Sequence, residues 1–278
     1  MTTTVRAEPA VPSEARQTDT GIATSARAFL ALLRRDVFVT WREFLPFLAQ
    51  VIIQPLFMLF IFGKVLANVG YVQGDFFAVL LPGVVALNGF LGSLQSTVMP
   101  LVMDFAWTRE IEDRLLAPMP IPLVAIEKMI FGALRGVISA LLMVPIGFLI
   151  LDGVTWPADA LPAVAGIVVL GSLVGAAIGM TVGTLVSARH INIMFSLILT
   201  PLMFTGSTQF PLLALSNMEW FQVVCALNPL TYVSEAMRAQ VVPSVPHVQL
   251  WIDILAMLGA IVLFGTIGVR GFLRRALD

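Results

Sequence analysis

Charge is what this chain has least of: only 12% of its 278 residues are charged, where a soluble domain carries about 25%. Cysteine is nearly absent, and the single Cys225 excludes an internal disulfide and any CxxC or multi-cysteine metal site. The two histidines, His190 and His247, stand far apart, which argues against a histidine metal centre. No GxxxxGK followed by Ser or Thr occurs. The only Gly-Lys pair, Gly63-Lys64, precedes Val65 and lacks the earlier glycine. The backbone cradle and lysine that hold nucleotide phosphates are therefore missing from this chain. Paired carboxylates inside the apolar blocks and a Ser-His couple are missing too, so no catalytic residue and no metal ligand are expected.

Apolar surface is what the chain has in excess, at 58% hydrophobic residues and a mean hydropathy of +0.94. Charges cluster between apolar blocks longer than about 18 residues, the signature of transmembrane helices. Hydrocarbon forces every backbone polar group to find an internal partner, so repeated blocks of this length predict a helix bundle. A β-barrel would show short alternating segments instead. The expected fold is an all-α membrane protein with six transmembrane helices, over 44–66, 76–103, 129–151, 160–186, 191–210 and 250–269. Residues 1–24, rich in Thr, Ala, Pro and Glu, read as a disordered tail without the apolar core of a signal peptide.

Residues 25–43 form an amphipathic stretch in which Phe29, Leu33, Val37 and Trp41 recur every fourth residue, flanked by Arg27, Arg34, Arg35 and Arg42. This is the pattern of an interfacial helix lying among headgroups with its arginines on anionic lipid, or of a helix packed on a partner. Residues 206–249 are moderately apolar but broken by Pro211, Pro229, Pro243 and Pro246, which predicts a re-entrant or surface-lying helical element between spans five and six. Lys and Arg set the orientation. With the amino terminus in the cytoplasm, Arg109, Arg114, Lys128, Arg189, Arg270, Arg274 and Arg275 share its side, while Lys64 and Arg238 face the other. Both termini are then cytoplasmic by the positive-inside rule.

The loop 104–122 reads DFAWTREIEDRLLAPMPIP. Trp107, Ile111 and Leu115 form one stripe, Glu110 and Arg114 form an i, i+4 ion pair, and Pro118, Pro120 and Pro122 end the helix. Such a helix either docks a soluble partner or only tidies an interfacial loop.

The stretch TREIEDRLLAPMPIPLVAIEKMIFGALRG, 108–136, resembles the loop after the second span in type-two ABC export permeases, the family of daunorubicin-resistance, nodulation-factor and polysaccharide exporters. A second stretch, 204–238, is similar to the family's segment between spans five and six through Phe210-Pro211, Asn228-Pro229-Leu230-Thr231-Tyr232, Glu235 and Arg238. Glu112-Asp113 departs from the Gly-Thr pair of many members. The resemblance implies a cytoplasmic ATP-binding subunit as partner, contacted by the interfacial helix (Arg34, Arg35, Trp41) and by a coupling loop (Trp107, Arg109, Glu110, Ile111, Glu112, Arg114, Leu115). It implies that ATP and magnesium sit on that partner, with no cofactor in this chain. It also implies pairing with a second copy or a similar permease in the cell membrane. Nucleic acid has no place in that scheme. Export of a hydrophobic or amphipathic drug, lipid or glycolipid, as in efflux and antibiotic resistance, would follow a path between the first and fifth spans, past Phe57, Phe60, Phe195, Met203 and Phe204.

Gly171, Gly175, Gly179 and Gly183 recur every fourth residue in the fourth span. They make either a static packing seam or a smooth face that slides when the bundle rearranges. Among the few polar groups inside the apolar blocks, Gln50, Gln54, Asn88, Gln95 and Asn192 are neutral, and Arg135 either snorkels to headgroups or pairs with Glu127. The competing classes are a secondary transporter, disfavoured by acidic residues confined to span ends, and an intramembrane lipid-modifying enzyme, disfavoured by the missing catalytic constellation.

Overall fold

The computed structural model describes residues 21–42, 44–70, 76–105, 118–151 and 153–277. Helices make up the fold, and no strand occurs among the described residues. In chain order they are α1 (Ile22–Arg42), α2 (Phe44–Phe60), α3 (Phe76–Met103), α4 (Ile121–Ile150), α5 (Leu161–Leu185), α6 (Ile191–Thr205), α7 (Glu219–Ala226), α8 (Pro229–Val241) and α9 (Leu250–Leu277). Beyond Phe60, α2 widens into a π-helical turn over Ile61–Val65 and closes with Leu66–Asn68.

The chain is a multi-pass membrane protein. Among the described residues four stretches are long and apolar enough to cross a bilayer: Phe76–Met103, Ile121–Ile150, Ala158–Leu185 and Leu250–Ala276. Six spans were expected. Where the first and fifth were expected, the apolar helical pieces are shorter, Ile52–Val65 and Phe195–Thr205. The 15 residues of α6 rise about 22 Å, short of a hydrocarbon core about 30 Å thick. The helix ends at Thr205, where the expected span ran on to 210. The third expected span starts too late, since α4 begins at Ile121 directly after Pro118 and Pro120, with Pro122 in its first turn, where proline needs no N–H partner.

At the centre is α3, buried along most of its length between α4 and α5. Small residues permit this. A Cβ on Gly136 of α4 would lie 2.5 Å from the Gly89 carbonyl oxygen, and one on Gly175 of α5 would lie 2.3 Å from that of Phe90. The backbones of three helices thus meet almost without intervening side chains, the arrangement by which helices pack when lipid gives no hydrophobic drive. The other three stripe glycines sit equally close, Gly179 against Leu94 and Thr97, Gly183 against Leu101 and Gly171 against Val233 of α8. Along α9, Thr181 Oγ1 donates to the Phe264 carbonyl at 2.6 Å, and Arg275 Nη1 donates to the Gly183 and Val186 carbonyls that end α5.

Candidate functional site

Polar side chains converge at several places in the bundle. The first is a crevice of about 240 Å³ where α2, α3 and α6 meet. Gln54 of α2, Gln95 of α3, and Phe195, Ser196, Thr200 and Met203 of α6 line it. Gln54 Nε2 donates to Met203 Sδ at 3.1 Å, tying α2 to α6. Gln54 and Gln95 also line a smaller adjoining cavity with Asn88, whose Nδ2 donates to the Ser139 carbonyl at 2.9 Å. The crevice is walled half by apolar side chains and half by amides and hydroxyls, a composition that suits an amphipathic molecule: the apolar walls hold, and the polar groups orient.

Of the residues expected on a cargo path, Phe195 and Met203 line this crevice. Phe57, Phe60 and Phe204 do not, and project exposed from the outer surface of the single chain. The two glutamines were visible in the sequence only as isolated polar residues. Nothing in their spacing says that residues 54, 95 and 203 converge.

The second constellation holds the 206–249 segment in place. After α6 the chain turns through Gly206 and Ser207, with Ser207 at φ 49°, and presses the Thr208 backbone onto Gly83 of α3. The short helix α7 follows, with Trp220, Val223 and Leu227 exposed, and then α8, which buries itself among α3, α5 and α9. The motif Asn228-Pro229-Leu230-Thr231-Tyr232 is the joint between these two helices. Asn228 caps α8 by accepting from Leu230 N at 2.9 Å, and its Nδ2 donates to the Leu202 carbonyl and to Thr205 Oγ1. Thr231 Oγ1 and Tyr232 OH donate to the Cys225 and Ala226 carbonyls that α7 leaves open.

Glu235 and Arg238 read in the sequence as loop charges on the far side of the membrane. In the fold both are completely buried on α8 and paired with each other. Glu235 Oε1 also accepts from Leu212 N at 2.9 Å and Oε2 from Val248 N at 3.3 Å. Arg238 Nη2 donates to the Ser207 carbonyl at 2.6 Å. Asp253 of α9, fully buried, lies within electrostatic reach of both. Acidic groups at the span ends are thus gathered into one site by the return of the 206–249 segment, which no sequence period could announce.

At the opposite end of the bundle, Arg34 and Arg35 are exposed on α1. Asp104, at the end of α3, accepts from Lys128 Nζ of α4 at 2.5 Å, both side chains being buried. The guanidinium of Arg135 stacks on Phe47 of α2 at 4.4 Å and approaches Phe131 at 5.9 Å. The coupling residues Trp107, Arg109, Glu110, Ile111, Glu112, Arg114 and Leu115 lie outside the described residues, as does the side chain of Trp41.

Residues 27–242, which take in α2 to α8 and most of α1, match the model of the ABC-2 type transporter family. The chain belongs to this family. The ABC-2 assignment agrees with a relative, the proposed transport permease ycf38 of Cyanophora paradoxa, which is 29% identical over 224 residues, or 76% of this chain and 70% of the relative. Both segments that carried the resemblance, 108–136 and 204–238, fall within the ABC-2 match. The chain is therefore a membrane subunit of an ABC-type transporter, of the transport-permease kind.

Proposed function

We propose that this chain exports a hydrophobic or amphipathic compound (drug, lipid or glycolipid), powered by a separate cytoplasmic ATP-binding subunit that carries the ATP and magnesium. The observation that carries this reading is the crevice between α2, α3 and α6, where Gln54 and Gln95 stand among Phe195 and Met203 in a permease without a nucleotide cradle. Soft thioether and aromatic walls adapt to loosely defined apolar cargo, and the amides engage its polar end. In this reading α2 and α6 complete a six-span count, and α7 and α8 form the re-entrant element. Both termini are cytoplasmic in the cell membrane. Phe57, Phe60 and Phe204 face a second copy or a similar permease, so that the cargo path forms between two chains. The energy enters through α1 and the 104–122 loop, where Trp107, Ile111 and Leu115 make the apolar contact and Arg109, Glu110, Glu112 and Arg114 the polar one.

The docking assignment has a direct test. Co-expressed with its ATP-binding subunit, the wild-type chain should co-purify with it and stimulate its ATPase activity. Leu115→Glu combined with Arg114→Glu should lower that stimulation at least about tenfold, as for loss of an interface anchor. Undiminished stimulation by the double variant would move the docking site elsewhere.

A further inference from the structure

A groove of about 370 Å³ runs between α4 and α9. Both helices pack on α5, yet they leave this space between Ile126 and Met129 on one side and Val262, Gly265 and Val269 on the other. Two glycines further along α9 serve close packing: a Cβ on Gly268 would lie 2.7 Å from Met180 Cγ, and one on Gly271 would lie 2.6 Å from Thr184 Oγ1. Gly265 does not. A Cβ there meets only the tip of Met129, at 3.5 Å, which is ordinary contact. What Gly265 keeps open is the groove. The hydroxyl of Thr266, also in the wall, is spent on the Leu263 carbonyl of its own helix, so the walls are otherwise apolar up to Arg270.

Arg270 is exposed, and so is Arg274 one turn further along the same side of α9. Among the described residues neither makes a hydrogen bond, an ion pair or a ring contact. The twenty residues Leu250–Val269 rise about 30 Å, the thickness of the hydrocarbon core, which puts Arg270 at its edge and Arg274 among the headgroups. Ile261, at the far end of the groove, lies about 14 Å deeper along the helix. That is the depth of the acyl chains of one leaflet, half of a core about 30 Å thick.

We propose that this groove holds an acyl chain of an anionic phospholipid whose phosphodiester sits on Arg270 and Arg274. Two guanidinium groups one turn apart match the phosphodiester oxygens, and no acidic side chain lines the groove among the described residues. Burial of the chain adds no hydrophobic drive, because surrounding lipid tails are equally apolar. The charges therefore select the lipid, and the groove fixes where its chain lies. A second copy seated here by a two-fold axis along the membrane normal would bring its own Arg270 and Arg274 to the same depth, where like charges repel. Bound lipid thus completes the seam between α4 and α9. The site does not depend on the identity of the cargo.

The test uses the full-length chain in nanodiscs of equal phosphatidylglycerol and phosphatidylcholine with identical acyl chains. Native mass spectrometry then counts the lipid retained once the annulus is stripped. Wild type should retain phosphatidylglycerol preferentially. Gly265→Phe fills the groove and should lose the retained lipid. Gly259→Phe adds the same bulk to α9 where a Cβ meets nothing within 4 Å, and should retain lipid as wild type does. Arg270→Ala should lower the preference for phosphatidylglycerol about fivefold, and its combination with Arg274→Ala about twentyfold, since each basic residue at an anionic surface contributes about fivefold. Arg270→Lys should stay within about twofold of wild type, because the charge is kept. Wild-type retention by Gly265→Phe would overturn the groove, and an unchanged preference in the double arginine variant would overturn the headgroup contact. A wild type that flies as a pair of chains, separated by Gly265→Phe with no change in lipid, would make a second copy the occupant and overturn the proposal.

Discussion

Arg238→Met is expected to destabilise the bundle by about 3–5 kcal/mol, the usual cost of removing one partner from a buried ion pair. That is a large part of a typical folding free energy of about 5–15 kcal/mol. Arg238 and Glu235 are both fully buried, and Glu235 further holds the backbone N–H groups of Leu212 and Val248. Arg238 in turn holds the Ser207 carbonyl at the turn where the backbone is left-handed. Removing the guanidinium leaves Glu235 and Asp253 buried together without a balancing cation and releases the Ser207 turn from α8. Glu235→Gln should cost less, because the amide oxygen still accepts from Leu212 N. The double variant should be more stable than the sum of the single effects predicts, since neither charge is then stranded. Unfolding by denaturing detergent in mixed micelles measures all three. Single variants within about 0.5 kcal/mol of wild type, the range of inconsequential surface changes, would contradict this account of the 206–249 segment.

Gly175→Leu is expected to abolish accumulation of the folded chain. A Cβ at this position alone would lie 2.2 Å from Ser93 Oγ, 2.3 Å from the Phe90 carbonyl oxygen and 3.1 Å from its carbonyl carbon. The serine can rotate away, but the α3 backbone cannot, so α5 would have to separate from the most buried helix of the bundle. Gly175→Ala should already cost about 1–3 kcal/mol as overpacking, and three further carbons extend the clash. A sliding face makes the opposite forecast: a Gly175→Leu chain that assembles normally and fails only in transport. Yield of monodisperse protein in detergent decides between the two. Wild-type yield for Gly175→Leu would sink static packing, and loss of yield already at Gly175→Ala would exclude a freely sliding seam.

Both positions show what the sequence could disclose. The glycine stripe of α5 has a period, and a period maps onto one face of a helix. Its counterpart on α4, the shorter run Gly132, Gly136 and Ala140, has the same period, but that both stripes face α3 emerges only from the packing of the three helices. Hydropathy placed α3 and α5 within a few residues, and the helical run from Phe44 through the π turn at Ile61–Val65 to Asn68 covers the expected 44–66. It missed the first eight residues of α4 and the last eight of α9, and it carried α6 past Thr205, where the chain turns through Ser207. The motif around Asn228 could be recognised by resemblance, yet its work is tertiary: capping α8 while tying it to the end of α6. Glu235 and Arg238 stand three residues apart on α8, a spacing that allows their pairing, but their burial and the approach of Asp253 from α9 depend on the packing of separate helices and were not legible. For the crevice, residue type was informative and position was not. Gln54, Gln95 and Met203 come from three helices, and local periodicity carries no information about which of them share a cavity.

The central claim is that this chain moves cargo with energy supplied by another chain. Transport of a fluorescent amphipathic compound into inverted vesicles tests it most directly, with the chain reconstituted alone, with its ATP-binding subunit, and with that subunit inactivated in its phosphate-binding lysine. The account predicts accumulation only with ATP and the intact subunit, reduced by Gln95→Leu in the crevice. Accumulation by the chain alone under a proton or sodium gradient, indifferent to ATP, would contradict it.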